Sequence, residues 1–310
     1  MQNPILGTHP LVSIVVVTYN SEKYVIETLE SIQSQTYSRL ELIITDDCSK
    51  DNTVGLCINW IKKNEHRFEN TKIITSQTNT GISSNMNRGC SQASGEWIKP
   101  IAADDILLQD AISNYTQCVK QNPQILALFA QAQCFISDNG EKRLLKVIPS
   151  TEETFIYSLS PLQQFKVLLH DNLIKAPTSF IKRQVYDDFK FDERYKYLED
   201  YPYWLNITLH GVKLSYLDKI TVLYRVSNQS ISHSSNTLFP SRHYESMMMF
   251  FFEEKQYYLK QYFPELIDKE KKQYLLWLVA ELLFHNRRTL LSRIMLRLIR
   301  MIFNSFRFIS

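Results

Sequence analysis

No stretch of this chain carries the ~20 uninterrupted apolar residues that a membrane-spanning helix needs. Met1 to Pro10 has no basic segment followed by a long apolar core, so no secretory leader is expected. None of the five cysteines (Cys48, Cys57, Cys90, Cys118 and Cys134) stands in a CxxC pair, and the odd count does not complete a disulfide framework. Reduced, mostly buried thiols of a cytoplasmic protein are the expectation. The absence of GxGxxG and of a P-loop counts against dehydrogenases and P-loop kinases. No GxSxG elbow marks a hydrolase, and no His/Cys spacing suggests zinc. Acidic residues are missing from the C-terminal tail: none follows Glu281, whereas Arg287, Arg288, Arg293, Arg297, Arg300 and Arg307 do.

What is present suits a folded domain with an appendage. The 310 residues are 44% hydrophobic and 22% charged, enough to bury a sizeable core. A net charge of +3 is too small to imply a nucleic-acid partner, and none is expected.

Four apolar runs alternate with helical spacing. Leu11 to Thr18 is a near-continuous β-branched run, the pattern of a strand buried on both faces. Tyr24, Val25, Thr28, Leu29 and Ile32 then recur at helical spacing. Leu40 to Thr45, Lys72 to Ser76 and Glu96 to Ala102 read as further strands, with helices between them. This β-α-β-α-β-α-β order predicts an α/β fold with a mostly parallel sheet and helices on both faces. Later, Ile125 to Ile136, residues 176–182 and Lys219 to Val226 read as strands. Leu162 to His170 and the segment opened by Glu199-Asp200 read as helices.

In open α/β sheets, ligands bind beyond the carboxyl ends of the strands. Three polar clusters fall at such ends: Thr18-Tyr19-Asn20, Asp46-Asp47 and Asp104-Asp105. Two adjacent carboxylates suit a hard Mg²⁺ or Mn²⁺, which prefers oxygen ligands and neutralises a leaving diphosphate. The same pair is common turn chemistry, one Asp capping a helix and the other solvated. Asp46-Asp47 can accept from a nucleobase or ribose, or close a turn through Asx hydrogen bonds. Glu199-Asp200 can supply a general base, or cap the aromatic helix that holds Tyr201, Tyr203 and Trp204. Lys99 reads as a solvated strand-end lysine, and His170 and His210 as packing residues.

Taken in order, these pieces resemble the GT-A fold of family 2 glycosyltransferases over about residues 11 to 235. Val12 to Asn20 is similar to the family's opening strand and Thr-Tyr-Asn turn at the nucleoside. Asp46-Asp47-Cys48-Ser49-Lys50-Asp51 resembles the Asp-Asp-x-Ser-x-Asp element, and Asn79-Thr80-Gly81 with Asn87-Arg88-Gly89 resembles the Asn-x-Gly pair beside the donor. Ala102-Ala103-Asp104-Asp105 falls where the DxD motif belongs, and Glu199-Asp200-Tyr201 where the catalytic base belongs. Tyr224-Arg225 with Ser230 and His233 resembles a late segment that closes over the diphosphate. Two departures stand out: Ala102 replaces the first Asp of DxD, and Met86 stands where many relatives carry arginine.

The resemblance implies an inverting, metal-dependent transferase of bacterial surface-polysaccharide assembly. It would move a sugar from a nucleotide sugar, a UDP-sugar first, to a saccharide or lipid-linked acceptor. It also implies roles for particular residues. Thr18, Tyr19, Asn20, Asp46, Asp47, Asn79, Gly81, Asn87, Asp104, Arg225 and His233 would bind the donor. Asp104 and Asp105 would hold Mn²⁺ or Mg²⁺, and Asp200, with Glu199 in reserve, would be the base. The alternatives are a non-catalytic sugar-nucleotide-binding scaffold, suggested by Ala102 and Met86, and a nucleotidyltransferase, disfavoured by the absence of a Gly-rich, lysine-bearing loop after the first strand.

Residues 1–235 are expected to form the transferase domain, with a nucleotide-binding half near 11–110 and an acceptor half near 111–235. Residues 236–310 are expected to be a helical, basic, amphipathic extension. In the tail, Arg293, Arg297 and Arg300 share one helical face, with Leu291, Ile294, Leu298 and Ile302 on another and Leu296, Ile299 and Phe303 flanking. That pattern suits an anionic membrane surface through residues 287–310, on the inner face of the cell membrane; the rival is a terminal helix that docks on the core or dimerises.

Overall fold

The computed structural model describes residues 9–138, 141–226, 237–239 and 241–305. The first half alternates as the apolar runs predict: β1 Val12–Thr18, α1 Val25–Gln33, β2 Leu40–Asp46, α2 Thr53–Asn64, β3 Asn70–Thr75, α3 Ile82–Cys90 and β4 Trp97–Ala102. There follow β5 Ile106–Leu107, α4 Ala111–Gln121, the long β6 Ala127–Asp138, β7 Glu141–Ile148 and α5 Pro161–Leu168. Then come β8 Phe180–Lys182, α6 Arg183–Asp188, α7 Asp200–Leu209 and β9 Leu214–Arg225. Four helices end the chain: α8 Ser241–Phe250, α9 Gln256–Tyr262, α10 Glu265–Phe284 and α11 Leu290–Ser305.

The strands join one nine-stranded sheet in the order β3-β2-β1-β4-β8-β6-β9-β5, with β7 paired to β6. β3, β2, β1 and β4 are parallel, as expected. Past β4 the sheet becomes mixed. β8 runs antiparallel to both β4 and β6, whereas β6 and β9 are parallel. All seven residues of β2 are buried, as are six of the seven in β1, which explains the apolar runs: both faces are covered. Val12, Ile14, Val16 and Leu42 pack in a cluster with α1 and α2, while Val15 and Ile43 pack with α3 on the other face.

One charged residue sits inside this layer. Glu41 on β2 is fully buried and accepts hydrogen bonds from Ser13 Oγ, Ser94 N and Oγ, and Asn70 Nδ2. Burial works to raise its carboxyl pKa, but these donors outweigh it and the net shift is downward.

The C-terminal region is helical, as expected, and much of it belongs to the main core. Phe250, Phe251, Leu259 and Tyr274 join the cluster that holds Tyr195, Tyr201 and Trp204. Lys255, 2% exposed, pairs with Glu270 and lies 5.2 Å from the Tyr201 ring centre. Only the end of α10 and α11 form a separate small cluster, with Phe239, Leu276, Trp277 and Ala280 at its centre. No described helix is long and apolar enough to cross a membrane. All five cysteines are free thiols, and Cys57, Cys90 and Cys134 are buried.

Candidate active site

The sheet register lines up the candidate strand ends. Thr18 sits opposite Asp46, and Val17 opposite Ala102, so the loops after β1, β2 and β4 emerge side by side. Strand order changes direction at β1, which has β2 on one side and β4 on the other. A crevice at such a switch point is where α/β sheets bind nucleotides.

The acids in the first two loops are enclosed. Asp46, 1% exposed, accepts from Thr18 Oγ1 at 2.7 Å, from Ser49 N at 2.8 Å and from Ser49 Oγ. Asp47, 3% exposed, accepts from Thr80 N and Oγ1 and from Gly81 N, and lies 3.5 Å from the Arg88 guanidinium. Thr18, Asp46 and Asp47 thus brace the loops of the expected nucleoside site. Tyr19, Asn20 and Lys50 are exposed beside them. Asn20 takes a left-handed φ of 50°, which its short polar side chain tolerates, and its Oδ1 accepts from Lys50 N. Gly81, at φ 92°, has Lys196 against it: a Cβ there would lie 2.2 Å from Lys196 Cγ.

Two motif residues have other work. Asn87 exchanges hydrogen bonds with the backbone of Phe191 and donates to Glu193, which tethers α3 to the segment before α7. Ser83 Oγ donates to the Tyr195 carbonyl, Ser84 Oγ to Glu193, and Ile82 N to the Lys196 carbonyl. The segment before α7 is thus stitched along α3, which ties the position of Glu199-Asp200 to the nucleotide half. Met86 is core, 8% exposed. The positive charge in this loop comes from Arg88, which donates to Asn85 and Thr80.

At the end of β4, the adjacent acids separate in role. Asp104 is half-buried, and among the described residues its carboxylate receives no hydrogen bond from another residue. Asp105 is 1% exposed; its Oδ1 accepts from Arg225 N at 2.9 Å, while Oδ2 has no partner. Burial pushes both carboxyls upward in pKa, and for Asp105 the charge of Asp104 adds to this. Arg225 is tied to this turn. Its guanidinium donates to the Asp104 carbonyl at 2.8 Å, to Ser137 Oγ and to Glu27, and lies 4.2 and 4.5 Å from the ring centres of Tyr24 and Phe135. At 3% exposed it braces the Asp104 turn from beneath. His233 lies outside the described residues.

Lys99 also differs from expectation. It is fully buried, its Nζ donating to the carbonyls of Pro100 and Pro177. Burial pushes its pKa down to about 7, against the opposing pull of Asp105.

Asp200 is the first residue of α7, where the helix dipole favours a carboxylate. The helix is buried almost all round, with Trp204 edge-on to Phe129 at 5.0 Å and Tyr203 stacked on Phe191 at 4.3 Å, so its start is rigidly placed. Asp200 Oδ1 accepts from Tyr201 N at 2.7 Å and Oδ2 from Asn172 Nδ2 at 3.0 Å. Burial raises its pKa, and these two donors temper the rise. Glu199 has no such donors from other residues; burial and then the charge of Asp200 push it up to about 8. Of the pair, Asp200 is the one whose carboxylate is held by donors from other residues among the described ones.

Tyr224 lies on β9, one residue before Arg225. Burial raises its hydroxyl pKa, and the charges of Asp105, Asp104 and Asp200 each raise it further. Tyr224 and Asn172 were not singled out for a role from the sequence. Tyr224 stood beside Arg225 in the recognised segment, and Asn172 carries no local signal at all.

The family model for glycosyl transferase family 2 matches residues 13–189, more than half of the chain. The chain belongs to that family. It is 29% identical over 232 residues to an uncharacterized glycosyltransferase of Haemophilus influenzae, covering 73% of this chain and 69% of that protein. It is 27% identical over 227 residues to a GalNAc(5)-diNAcBac-PP-undecaprenol beta-1,3-glucosyltransferase of Campylobacter jejuni, covering 71% and 66%. Among solved structures, S. aureus TarS 1-349 in complex with UDP-GlcNAc aligns with a TM-score of 0.57 at 21% identity, over 87% of this chain and 73% of that one. The fold is therefore GT-A, with Asp104 following β4 and Asp200 opening α7.

Proposed function

We propose that this glycosyltransferase is an inverting enzyme that takes a sugar from a UDP-sugar and delivers it to a saccharide or lipid-linked acceptor. The reading rests on two carboxylates set for different work: Asp104 at the end of β4, unpartnered among the described residues beside the orphaned Asp105 Oδ2, and Asp200 at the start of α7, held by Asn172 and Tyr201 N. The relative from Campylobacter, named for a lipid-diphosphate-linked acceptor, supports the acceptor class and a place in bacterial polysaccharide assembly. The nucleoside lies against the exposed Tyr19-Asn20 turn and the loop of Asn79 and Gly81.

A divalent cation fits the Asp104 turn. Among the described residues no group of three acidic, histidine or cysteine side chains can hold a metal alone, so the diphosphate itself must complete the ligand set. Asp104, unpartnered and reachable, would hold the ion, with the orphaned Asp105 Oδ2 behind it. Bound there, Mn²⁺ or Mg²⁺ neutralises charge on the departing nucleoside diphosphate.

The chain's own residues set up the displacement. Asp200 accepts the proton of the acceptor hydroxyl as that oxygen bonds to the anomeric carbon. The bond from that carbon to the diphosphate oxygen breaks, and one displacement inverts the configuration. Asn172 and Tyr201 N hold the carboxylate while leaving lone pairs for the proton. Glu199, pushed up to about 8 by burial and the charge of Asp200, is the weaker base candidate because it lacks the donors that favour the charged form of Asp200.

A thermal-shift panel of UDP, GDP, CMP and dTDP, with and without Mn²⁺, selects the donor class, because a ligand of the native state raises its stability. With the matching sugar nucleotide, Asp200→Asn should bind donor like the parent and transfer about 10²–10⁴-fold more slowly. Full turnover in that variant would sink the base assignment. Contact of residues 287–310 with the inner face of the cell membrane is proposed alongside.

A further inference from the structure

α11 presents three stripes. At about 100° per residue, Ser292, Leu296 and Ile299 fall within one narrow arc. Ser292 is fully buried, and Leu296 and Ile299 pack on the Phe239–Trp277 cluster. On the side away from that dock, Leu290, Leu291, Ile294, Leu298 and Met301 are each between 47% and 74% exposed. Between these stripes, Arg293, Arg297 and Arg300 line one side of a groove of about 380 Å³, with Arg288 at its end. Its floor is apolar: Phe239, Leu276 and Leu296.

The groove is held in shape. His285 and Asn286 take left-handed φ values of 46° and 55°, turning α10 into α11. Asn286, 2% exposed, accepts from Leu238 N and Phe239 N and donates to the Phe239 carbonyl. Thr289 and Ser292 exchange backbone-to-hydroxyl bonds that cap the start of α11. None of the four arginines has an ion-pair partner among the described residues.

We propose that this groove is a headgroup site for an anionic phospholipid bilayer. α11 lies flat in the interface, its exposed leucines among the acyl chains and Arg293, Arg297 and Arg300 on lipid phosphates. The charge argument selects the occupant. Four unpaired guanidinium groups over an apolar floor, beside an apolar face turned away from the body, match a surface that is anionic outside and apolar beneath. This adds a defined lipid site to the membrane contact proposed above and does not depend on donor chemistry.

The test is co-sedimentation of the full chain with vesicles of phosphatidylcholine alone and of phosphatidylcholine mixed with phosphatidylglycerol. Binding is expected only with the anionic lipid. The triple variant Arg293→Gln/Arg297→Gln/Arg300→Gln, which leaves the docked stripe untouched, should bind on the order of a hundredfold more weakly, about fivefold per charge removed. Leu291→Ser/Leu298→Ser should also lose binding, with nucleotide-induced thermal shifts unchanged in both variants. Equal binding to neutral vesicles would overturn the role of the arginines. So would a thermal shift with inorganic phosphate and no vesicle binding, which would mark a free-anion site. No vesicle binding together with a concentration-dependent dimer would show that a second copy covers this face.

Discussion

Arg225 offers the sharpest mechanical test, because it is the brace beneath the Asp104 turn. Arg225→Gln removes the Nε donor to the Asp104 carbonyl, the bonds to Ser137 and Glu27, and the stacking between Tyr24 and Phe135. Glu27 is 38% exposed and keeps Lys142 at 2.7 Å, so it is not left as an isolated buried charge, and the full cost of breaking a buried pair does not apply. Ser137 is exposed and rehydrates. What remains is one lost charge-assisted hydrogen bond and the cation–π contacts, about 3 kcal/mol together. Urea unfolding followed by tryptophan fluorescence reads this directly, and in a thermal melt of this 310-residue chain the midpoint should fall by roughly 4–5 °C. The backbone bond from residue 225 to Asp105 survives the change, so the variant should fold, but with weaker metal-dependent nucleotide binding. A loss under about 1 kcal/mol with unaltered nucleotide binding would refute the bracing role.

Four further outcomes follow from the same geometry. Gly81→Ala should cost more than ~2 kcal/mol, since φ 92° and a Cβ 2.8 Å from the Lys196 carbonyl must both be accommodated; chemical unfolding checks it. The pH profile of kcat/KM should show an acid limb above the ordinary aspartate value of 3.8, and Asn172→Ala should move it higher by removing a donor to the charged form of Asp200. Glu199→Gln should keep most activity at pH 7, because that carboxyl is already protonated there; a loss matching Asp200→Asn would reverse the two roles. Glu41 has its folded pKa below the ordinary 4.5, so its contribution to stability is present above that value and lost as pH falls through the lowered one; Glu41→Gln should flatten this acid limb in pH-dependent unfolding.

The nucleotide half was legible because strands buried on both faces leave apolar runs whose ends can be read off directly. β1, β2 and β4 begin and end within about two residues of the expected positions. β7 left no such trace: Glu141 to Leu145 is exposed throughout and pairs only with β6, so no face selects apolar residues. β5 is two residues long and owes its existence to β9. Motif residues showed where the site lies but not how each side chain is used. Asn87 and Arg225 read as donor contacts, yet their partners Phe191 and Glu27 are 104 and 198 residues away in sequence, beyond any local pattern. Lys99 misled for the same reason, since its burial depends on the Pro177 carbonyl brought in beside β4.

The central claim is a donor site that binds a nucleoside diphosphate through a cation held by Asp104. Calorimetric titration of UDP into the full chain, with and without Mn²⁺, tests it most directly. Saturable binding that needs the metal, survives Asp200→Asn and weakens at least about tenfold in Asp104→Asn is the predicted result; a tenfold change corresponds to about 1.4 kcal/mol. UDP binding of equal strength without metal and in Asp104→Asn would contradict it, as would no binding of UDP, GDP, CMP or dTDP under any of these conditions.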